Sequence, residues 1–136
     1  MILMILAAAS QAPQCGEEPL PAAVQAYGKL IQQQDSAAIA HLFGSDGVID
    51  NPGAAPIRGE AAIGKFLGSF KGAVVKSETL DVTGMKGAGA DWLVTGRFHQ
   101  TGRTPEGKDY DVAGSFDSTW SCSADGWRIR RMSTGK

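Results

Sequence analysis

Residues 63–84 decide the fold class, and they read IGKFLGSFKGAVVKSETLDVTG. In the first part of this segment, hydrophobic side chains recur every three or four positions, which predicts a helix with one apolar face. These side chains are Ile63, Phe66, Leu67 and Phe70. From Ala73 onward the hydrophobic residues follow a period of two, which predicts a β-strand. The chain is therefore expected to change from helical to extended structure near Ala73.

Two more helices are predicted before this segment, and four strands are predicted from Ala73 to the end of the chain. The first helix begins near Pro19 and Pro21, because proline suits the first turn of a helix. Asp35 or Ser36 caps a second, shorter helix. Glycine-containing turns separate the strands. The predicted strands are residues 74–84, 92–101, 110–122 and 127–133.

Three helices followed by consecutive hairpins are typical of the α+β class. We expect residues 19–136 to form a single cone-shaped domain, in which three N-terminal helices pack on a strongly curved antiparallel β-sheet. A curved sheet that holds helices in its concavity leaves a cavity between the two layers, and small ligands bind in such cavities.

The N-terminal residues have the pattern of a processing signal. Residues 1–9 are entirely apolar, and Ser10-Gln11-Ala12 has the small-x-small pattern of a cleavage site. Residues 1–18 are therefore expected to be a signal remnant or a flexible arm, with the protein periplasmic or secreted, and otherwise cytoplasmic. The apolar run is much shorter than the ~20 residues of a membrane span, so no span is expected. A net charge of -1 gives no basic surface for nucleic acid.

The two cysteines, Cys15 and Cys122, belong to no CxxC motif and no metal-spaced cluster, so no zinc site is predicted. In an exported chain they would form one disulfide that ties the N-terminal arm to a late strand. The alternative is two unrelated thiols, with Cys122 simply buried. Both alternatives stay open at the level of the sequence.

One further segment carries a family resemblance. Residues 42–53 read LFGSDGVIDNPG, and residues 56–63 continue as PIRGEAAI. This pattern resembles the nuclear-transport-factor-2-like superfamily, and within it the ketosteroid isomerases and the SnoaL-like polyketide cyclases. Those proteins also have a helix ending in Leu-Phe, an acidic loop, a short strand ending near Asp-Pro, and Arg-Gly before a third helix. The resemblance extends from Val24 over nearly all of the remaining chain, and it marks the fold better than the function.

The resemblance to ketosteroid isomerases implies three functional positions. Those enzymes use a proton-shuttling aspartate before a proline, a tyrosine on the first helix, and a protonated aspartic acid on a late strand. By this resemblance Tyr27 is the tyrosine and Asp117 is the late acid. The residue before Pro52 is Asn51, whose amide cannot accept a proton near pH 7. The neighbouring Asp50 would face the opposite side of an extended chain, unless a bulge re-aims it.

The candidate catalytic residues are therefore Tyr27, Asp50, Asn51 and Asp117. Two orientations of Asp117 are open, because bulky side chains alternate with small ones along its strand. If the bulky side chains fill the core beneath the helices, Asp117 points away from the cavity. If they cover an outer face at a dimer contact, Asp117 lines the cavity. Tyr27 is likewise either a cavity residue or an ordinary core tyrosine.

Without the usual base, the chain is expected to be a small apolar ligand-binding domain of this type, with no cofactor and no metal. The alternative is a cofactor-independent isomerase, cyclase or dehydratase that acts on a small apolar carbonyl compound by acid–base chemistry. The expected partners are a small apolar molecule and a second copy of the chain, in a homodimer formed through the sheet.

Overall fold

The computed structural model describes residues 13–135, and most of the predicted signal segment, residues 1–12, lies outside them. A short N-terminal hairpin comes first, and helices and strands then follow in the order expected. The helices are α1 (Leu20–Gln33), α2 (Ser36–Phe43) and α3 (Glu60–Gly68). The short strands are β1 (Gln14–Cys15), β2 (Glu18–Pro19), β3 (Val48–Ile49) and β4 (Ile57–Arg58). The long strands are β5 (Val74–Ala88), β6 (Asp91–Arg103), β7 (Asp109–Ser123) and β8 (Gly126–Gly135).

The helix boundaries follow local capping chemistry. Pro19 precedes the first residue of α1, and the Asp35 carboxylate accepts a hydrogen bond from the Ala38 amide at 3.1 Å at the start of α2. Both predicted starts are confirmed. The helix α3 ends at Gly68, two residues before Phe70, which was predicted to continue its apolar face. Glycine favours helix ends, and the Ser69 hydroxyl bonds back to the carbonyl of Phe66 at 2.5 Å.

Six strands form the main sheet, in the order β4-β3-β8-β7-β6-β5. The hairpins from β5 to β8 are antiparallel, as predicted. The short strand β3 differs, because it pairs in parallel with β8, with Val48 opposite Arg131 and Ile49 opposite Met132. Such pairing needs a long connection between the two strands, and α3 and three long strands supply it here.

The sheet is strongly curved, and irregularities in its strands account for the bending. The register shifts between Val82 and Gly84 and again between Thr119 and Trp120, and such bulges bend a strand and increase its twist. Gly96 lies where neighbouring strands approach closely. A Cβ atom on Gly96 would stand 2.2 Å from the carbonyl oxygen of Asp81, so no larger residue fits there. The α+β class and the helix-on-curved-sheet architecture are confirmed.

The concave face of the sheet and the helices enclose the core. On β7 the residues Phe116, Ser118 and Trp120 are buried and face the helices. The Ser118 hydroxyl donates to the carbonyl of Val94 at 3.1 Å and accepts from the Trp120 indole N–H at 2.9 Å. The bulky side chains of this strand therefore fill the core, which decides between the two orientations that the sequence left open.

Residues 13–18 are packed against the sheet, although they were assigned to the arm. A disulfide joins Cys15 to Cys122, and the indole N–H of Trp127 donates to the carbonyl of Glu18 at 2.8 Å. The amide of Leu20 also bonds to the carbonyl of Pro13. The packed structure therefore begins before residue 19. Within residues 13–135 no helix is long and apolar enough to cross a membrane.

Replacing both cysteines by serine should lower the free energy of unfolding by about 2–5 kcal/mol, because the bond constrains a long loop of the unfolded chain. The two cysteines are 107 residues apart in sequence. Urea unfolding with and without a reductant measures the effect. The reductant should destabilise the wild-type protein by a similar amount and leave the double variant unchanged. Equal urea midpoints for oxidised and reduced wild-type protein would contradict the prediction.

Candidate functional site

Tyr27 lies on the inner side of α1, beneath the concave sheet. Its ring meets Phe43 and Trp120 edge-on, with centroids 6.4 Å and 6.3 Å apart. Burial, together with the negative charge of Glu78, raises the pKa of Tyr27 far above its usual value, so the phenol stays protonated. The Tyr27 hydroxyl has no hydrogen-bond partner among residues 13–135. Every fully buried side-chain oxygen and nitrogen in this part of the chain has a partner, so the Tyr27 hydroxyl is not one of the fully buried atoms. It is therefore an unused donor in the interior.

Asn51 anchors the segment after β3 to the end of β8. Its side-chain oxygen accepts from the amide of Thr134 at 3.0 Å and from the Thr134 hydroxyl at 3.1 Å. Thr134 stands opposite Phe116, so the Asn51 side chain lies on the inner side of the sheet. The Asn51 side chain therefore serves as a hydrogen-bond acceptor that holds two strands together.

Asp50 and Asp117 lie on the outer face of the sheet, where both contact Arg131. One guanidinium nitrogen of Arg131 donates to Asp117 at 2.5 Å, and another donates to Asp50 at 3.3 Å. The hydrogen bond to Asp117 is the main reason that the pKa of Arg131 is raised. All three side chains are partly exposed, so this network contributes only modestly to stability.

The three-group arrangement implied by the resemblance is therefore not assembled. Tyr27 faces the interior, whereas Asp117 faces outward. Side chains alternate between the two faces of β7, and the neighbouring residues Phe116 and Ser118 face inward. Asp50 follows Ile49, which packs against the core, and the one-residue step turns its carboxylate to the outer face as expected. No bulge re-aims Asp50 toward Tyr27.

A cavity of about 650 Å³ opens at one end of the domain, between the ends of the helices and the sheet. Ile31, one turn after Tyr27 on α1, is part of its wall, and most of the wall is apolar. The main apolar wall residues are Ile31, Ile39, Leu67, Phe70, Val75 and Pro105. Gln34 follows α1 in a left-handed conformation. Its side-chain nitrogen donates to the carbonyl of Ala73, and its side-chain oxygen accepts from the amide of Val75, so the side chain fixes the cavity rim.

A polar chain runs along the sheet side of the cavity. The Tyr110 hydroxyl donates to the Gln100 side-chain oxygen at 2.9 Å, and the Gln100 amide nitrogen donates to Glu78 at 3.0 Å. Tyr110 and Gln100 both line the cavity. Tyr110 lies over Gly102, where a Cβ atom would stand 2.5 Å from its hydroxyl, so the glycine makes room for the phenol.

Glu78 is a partly buried carboxylate on the inner face of β5, and it is not one of the residues that line the cavity. Burial raises its pKa above the usual value, although the hydrogen bond from Gln100 and the charge of His99 act in the opposite direction. Sequence reasoning missed this residue. The alternation of β5 could have identified it, because Glu78 has the same parity as Leu80 and Val82 and therefore shares the inner face with them. Among residues 13–135 no three His, Cys, Asp or Glu side chains group closely enough to hold a metal ion.

Comparisons with known proteins agree with this architecture. The sequence profile of the SnoaL-like domain matches residues 20–133. The steroid Delta-isomerase of Nocardioides simplex is 40% identical over 70 residues, which are 51% of this chain and 57% of that protein. The match thus spans little more than half the length of this curated relative.

Two solved structures share the fold at low sequence identity. A ketosteroid isomerase-like protein from Erwinia carotovora superposes with a TM-score of 0.73 at 20% identity, over 84% of this chain and 90% of that chain. A nuclear transport factor 2-like superfamily protein from Salmonella enterica gives a TM-score of 0.67 at 18% identity, over 82% and 84% of the two chains.

Asn51→Ala should lower the free energy of unfolding by about 1–3 kcal/mol, because the Thr134 amide loses its partner. Asp50→Ala serves as the matched control, and it should cost no more than about 1 kcal/mol because its ion pair is partly exposed. Urea unfolding of the two variants beside the wild-type protein measures both values. A larger loss for Asp50→Ala would show that the outer network, and not Asn51, holds this edge of the sheet.

Proposed function

Because the chain belongs to the SnoaL-like domain family, we propose that it binds a small, largely apolar molecule in the cavity at the open end of its sheet. The observation that carries the proposal is the cavity itself. Its volume of about 650 Å³ lies within the range of about 300–1,000 Å³ that is common for small-molecule sites. The relative from Nocardioides simplex, named as a steroid isomerase, makes a 3-ketosteroid the first ligand to test.

The wall of the cavity supports an apolar ligand with one polar group. Side chains such as Ile39, Leu67 and Phe70 would exclude water from the body of the ligand, and this burial would drive binding. Gln100 and Tyr110 would orient a carbonyl or hydroxyl group, because they are the polar side chains of the inner sheet face that reach the wall. The polar chain that fixes them keeps both groups in one orientation before the ligand arrives.

The ligand-binding proposal includes the absence of the family's usual base. Asn51 stands where the resemblance places that base, and the amide oxygen of Asn51 is already engaged by both donors of Thr134. An amide has no usable proton-accepting group near neutral pH. The simplest consequence is that the protein binds its ligand and that Asn51 transfers no proton.

A second candidate is a cofactor-independent isomerase, cyclase or dehydratase that acts on a small apolar carbonyl compound. The observation that favours it is the Tyr27 hydroxyl, which stays protonated and has no partner among the described residues. Such a donor in a water-poor interior stabilises the negative charge that develops on a carbonyl oxygen during enolisation.

We also propose that the protein works in the periplasm or outside the cell, and that it forms homodimers through the outer face of its sheet. The disulfide between Cys15 and Cys122 supports the first proposal, because disulfides persist mainly in oxidising compartments. The second proposal rests on the outer face of β7, where small side chains such as Ala113, Ser115 and Thr119 leave room for another sheet to approach. Sedimentation equilibrium of the oxidised protein would measure the oligomeric state directly.

Gly68→Leu should weaken the binding of a 3-ketosteroid at least about tenfold, which is about 1.4 kcal/mol. Gly68 lines the cavity, and a Cβ atom there meets nothing within 4 Å, so a leucine side chain would begin in open space and take up room in the cavity. Ala62→Leu is the matched control on the exposed side of the same helix and should bind as the wild-type protein does. Isothermal titration calorimetry measures both affinities.

The melting temperatures of both variants should stay within a few degrees of the wild-type value, so that lost binding cannot be assigned to lost folding. Equal affinities of Gly68→Leu and wild-type protein would place the ligand outside this cavity. An absence of saturable binding to the wild-type protein would remove 3-ketosteroids from the class of ligands.

A further inference from the structure

Lys71 is the one charged residue among the described residues that line the cavity. The other wall residues are apolar, or they carry uncharged polar groups such as the hydroxyl of Tyr110 and the amide of Gln100. Since no aspartate or glutamate of the described chain belongs to the wall, the wall has a net positive charge near pH 7. An apolar cavity with a single cation in its wall favours a ligand that combines an apolar body with a negative group.

A tight turn holds Lys71 at the mouth of the cavity, where the residue is exposed as well as part of the wall. The amide of Ala73 donates to the carbonyl of Phe70 at 3.1 Å, which closes a β-turn with Lys71 and Gly72 in its middle. Gly72 has a φ of 88°, which the third position of a type II turn requires and which glycine adopts without strain. The side chain of Gln34 donates to the carbonyl of Ala73 at 2.8 Å and thereby anchors the turn to the end of α1. The backbone of Lys71 is therefore fixed before a ligand binds.

The ammonium group of Lys71 is not committed to an ion pair, unlike two other cations at this end of the sheet. Lys76 and Arg103 each contact the carboxylate of Asp109 at 3.5 Å. Lys71 has no carboxylate within 4 Å among residues 13–135. The negative group of a ligand would therefore form a new ion pair with Lys71 without displacing an existing one.

The polar chain on the sheet side of the cavity determines how such a ligand would lie. Gln100 and Tyr110 belong to the wall, whereas Glu78 does not. Gln100 donates to Glu78 at 3.0 Å, so the Glu78 carboxylate lies behind the Gln100 amide as seen from the cavity. A negative group of the ligand beside that carboxylate would be repelled, and more strongly in apolar surroundings than in water. The negative group would therefore lie toward Lys71, and the apolar body of the ligand would lie toward the sheet.

We propose that the cavity selects amphipathic carboxylates of the alkanoic acid type, and that Lys71 pairs with the carboxylate at the mouth. The inference rests on the proposed function, because it requires that the cavity binds a ligand, and it narrows the class of that ligand. Phe70 is part of the wall beside Lys71 and is 51% exposed, so it would cover the alkyl chain next to the carboxylate. Lys71 sets the preference for a charged ligand and takes part in no bond-making step.

The test uses the oxidised full chain and three probes of equal chain length that differ in the charge of one end: decanoate, decan-1-ol and decylammonium. Isothermal titration calorimetry near neutral pH and at low salt, below the concentrations at which the probes form micelles, measures each affinity. Decanoate should bind about five- to tenfold more tightly than decan-1-ol, as expected between an exposed ion pair and a hydrogen bond to a charged group. Decylammonium should bind most weakly. Added salt should reduce the advantage of decanoate, because salt screens exposed charges.

Three variants assign the preference to Lys71. Lys71→Met removes the charge and keeps an unbranched side chain, so it should weaken decanoate binding about five- to tenfold and leave decan-1-ol binding unchanged. Lys71→Arg keeps the charge and should retain the preference for decanoate. Lys65→Met is the matched control, because Lys65 is an exposed residue of α3 outside the cavity wall, and it should bind all probes as the wild-type protein does. The melting temperatures should stay within a few degrees of the wild-type value, since both lysines are exposed.

The outcomes separate this inference from the proposed function. Gly68→Leu should weaken both decanoate and decan-1-ol, and unchanged decanoate binding would place the carboxylate outside the cavity and overturn the inference. If the wild-type protein binds decanoate and decan-1-ol equally well, the cavity still binds apolar ligands but the preference for carboxylates is wrong. If Lys71→Met retains the preference, another cation selects the ligand. If the wild-type protein binds none of the probes, the carboxylate class is wrong, and the 3-ketosteroid titration then decides whether the proposed function fails as well.

Discussion

The packing of Trp120 beneath Tyr27 is the contact on which the rest of the interior depends. Trp120 is fully buried, and its indole N–H is satisfied by Ser118 on the same face of β7. Because side chains alternate along a strand, this contact fixes which residues of β7 face the helices. Phe116 must then point inward and Asp117 must point outward. One buried tryptophan thus determines where every carboxylate of this strand can act.

The same alternation, propagated across the sheet by register, gives the cavity its polar groups. Trp92 on β6 is opposite Trp120 on β7. Phe98 and Gln100, further along β6, lie on the same face as Trp92 because the side chains of a strand alternate. Gln100 in turn stands opposite Glu78 on β5. The hydrophobic side chains of neighbouring positions therefore place Glu78, two strands away from β7, on the inner face of the sheet. The bulge between Val82 and Gly84, opposite Gly96, helps the strands follow the curve.

The fold could be predicted from the sequence, because its determinants are local. Capping at Asp35, the change of periodicity at Ala73 and the glycine-containing turns are each visible within a few residues. The parallel pairing of β3 with β8 could not be predicted from such signals, since it joins residues more than eighty positions apart. The disulfide was left open for the same reason, because a pairing between Cys15 and Cys122 depends on the packed hairpin at Pro13.

The site was predicted less well, because resemblance transfers positions and not orientations. Tyr27 and the Asn51 side chain face inward, whereas Asp117 was matched by its place in a strand without knowledge of the face it occupies, and it lies on the outer face. Glu78 was overlooked because a glutamate in an alternating strand is usually a solvent-facing residue. Only its pairing with Gln100 and its place on the same face as Leu80 distinguish it from the exposed charges of the same strand.

The strand order separates the cavity from the position to which the resemblance assigns the base. Asn51 follows β3, near one edge of the sheet, whereas β5 forms the opposite edge. The cavity lies on the β5 side, because Val75 of β5 and Gln100 of β6 belong to its wall and Asn51 does not. A ligand in the cavity would therefore contact β5 and β6 and would lie away from Asn51. The loss of an acidic group at position 51 and the presence of an apolar cavity are thus two separate features of the chain, one at each side of the sheet.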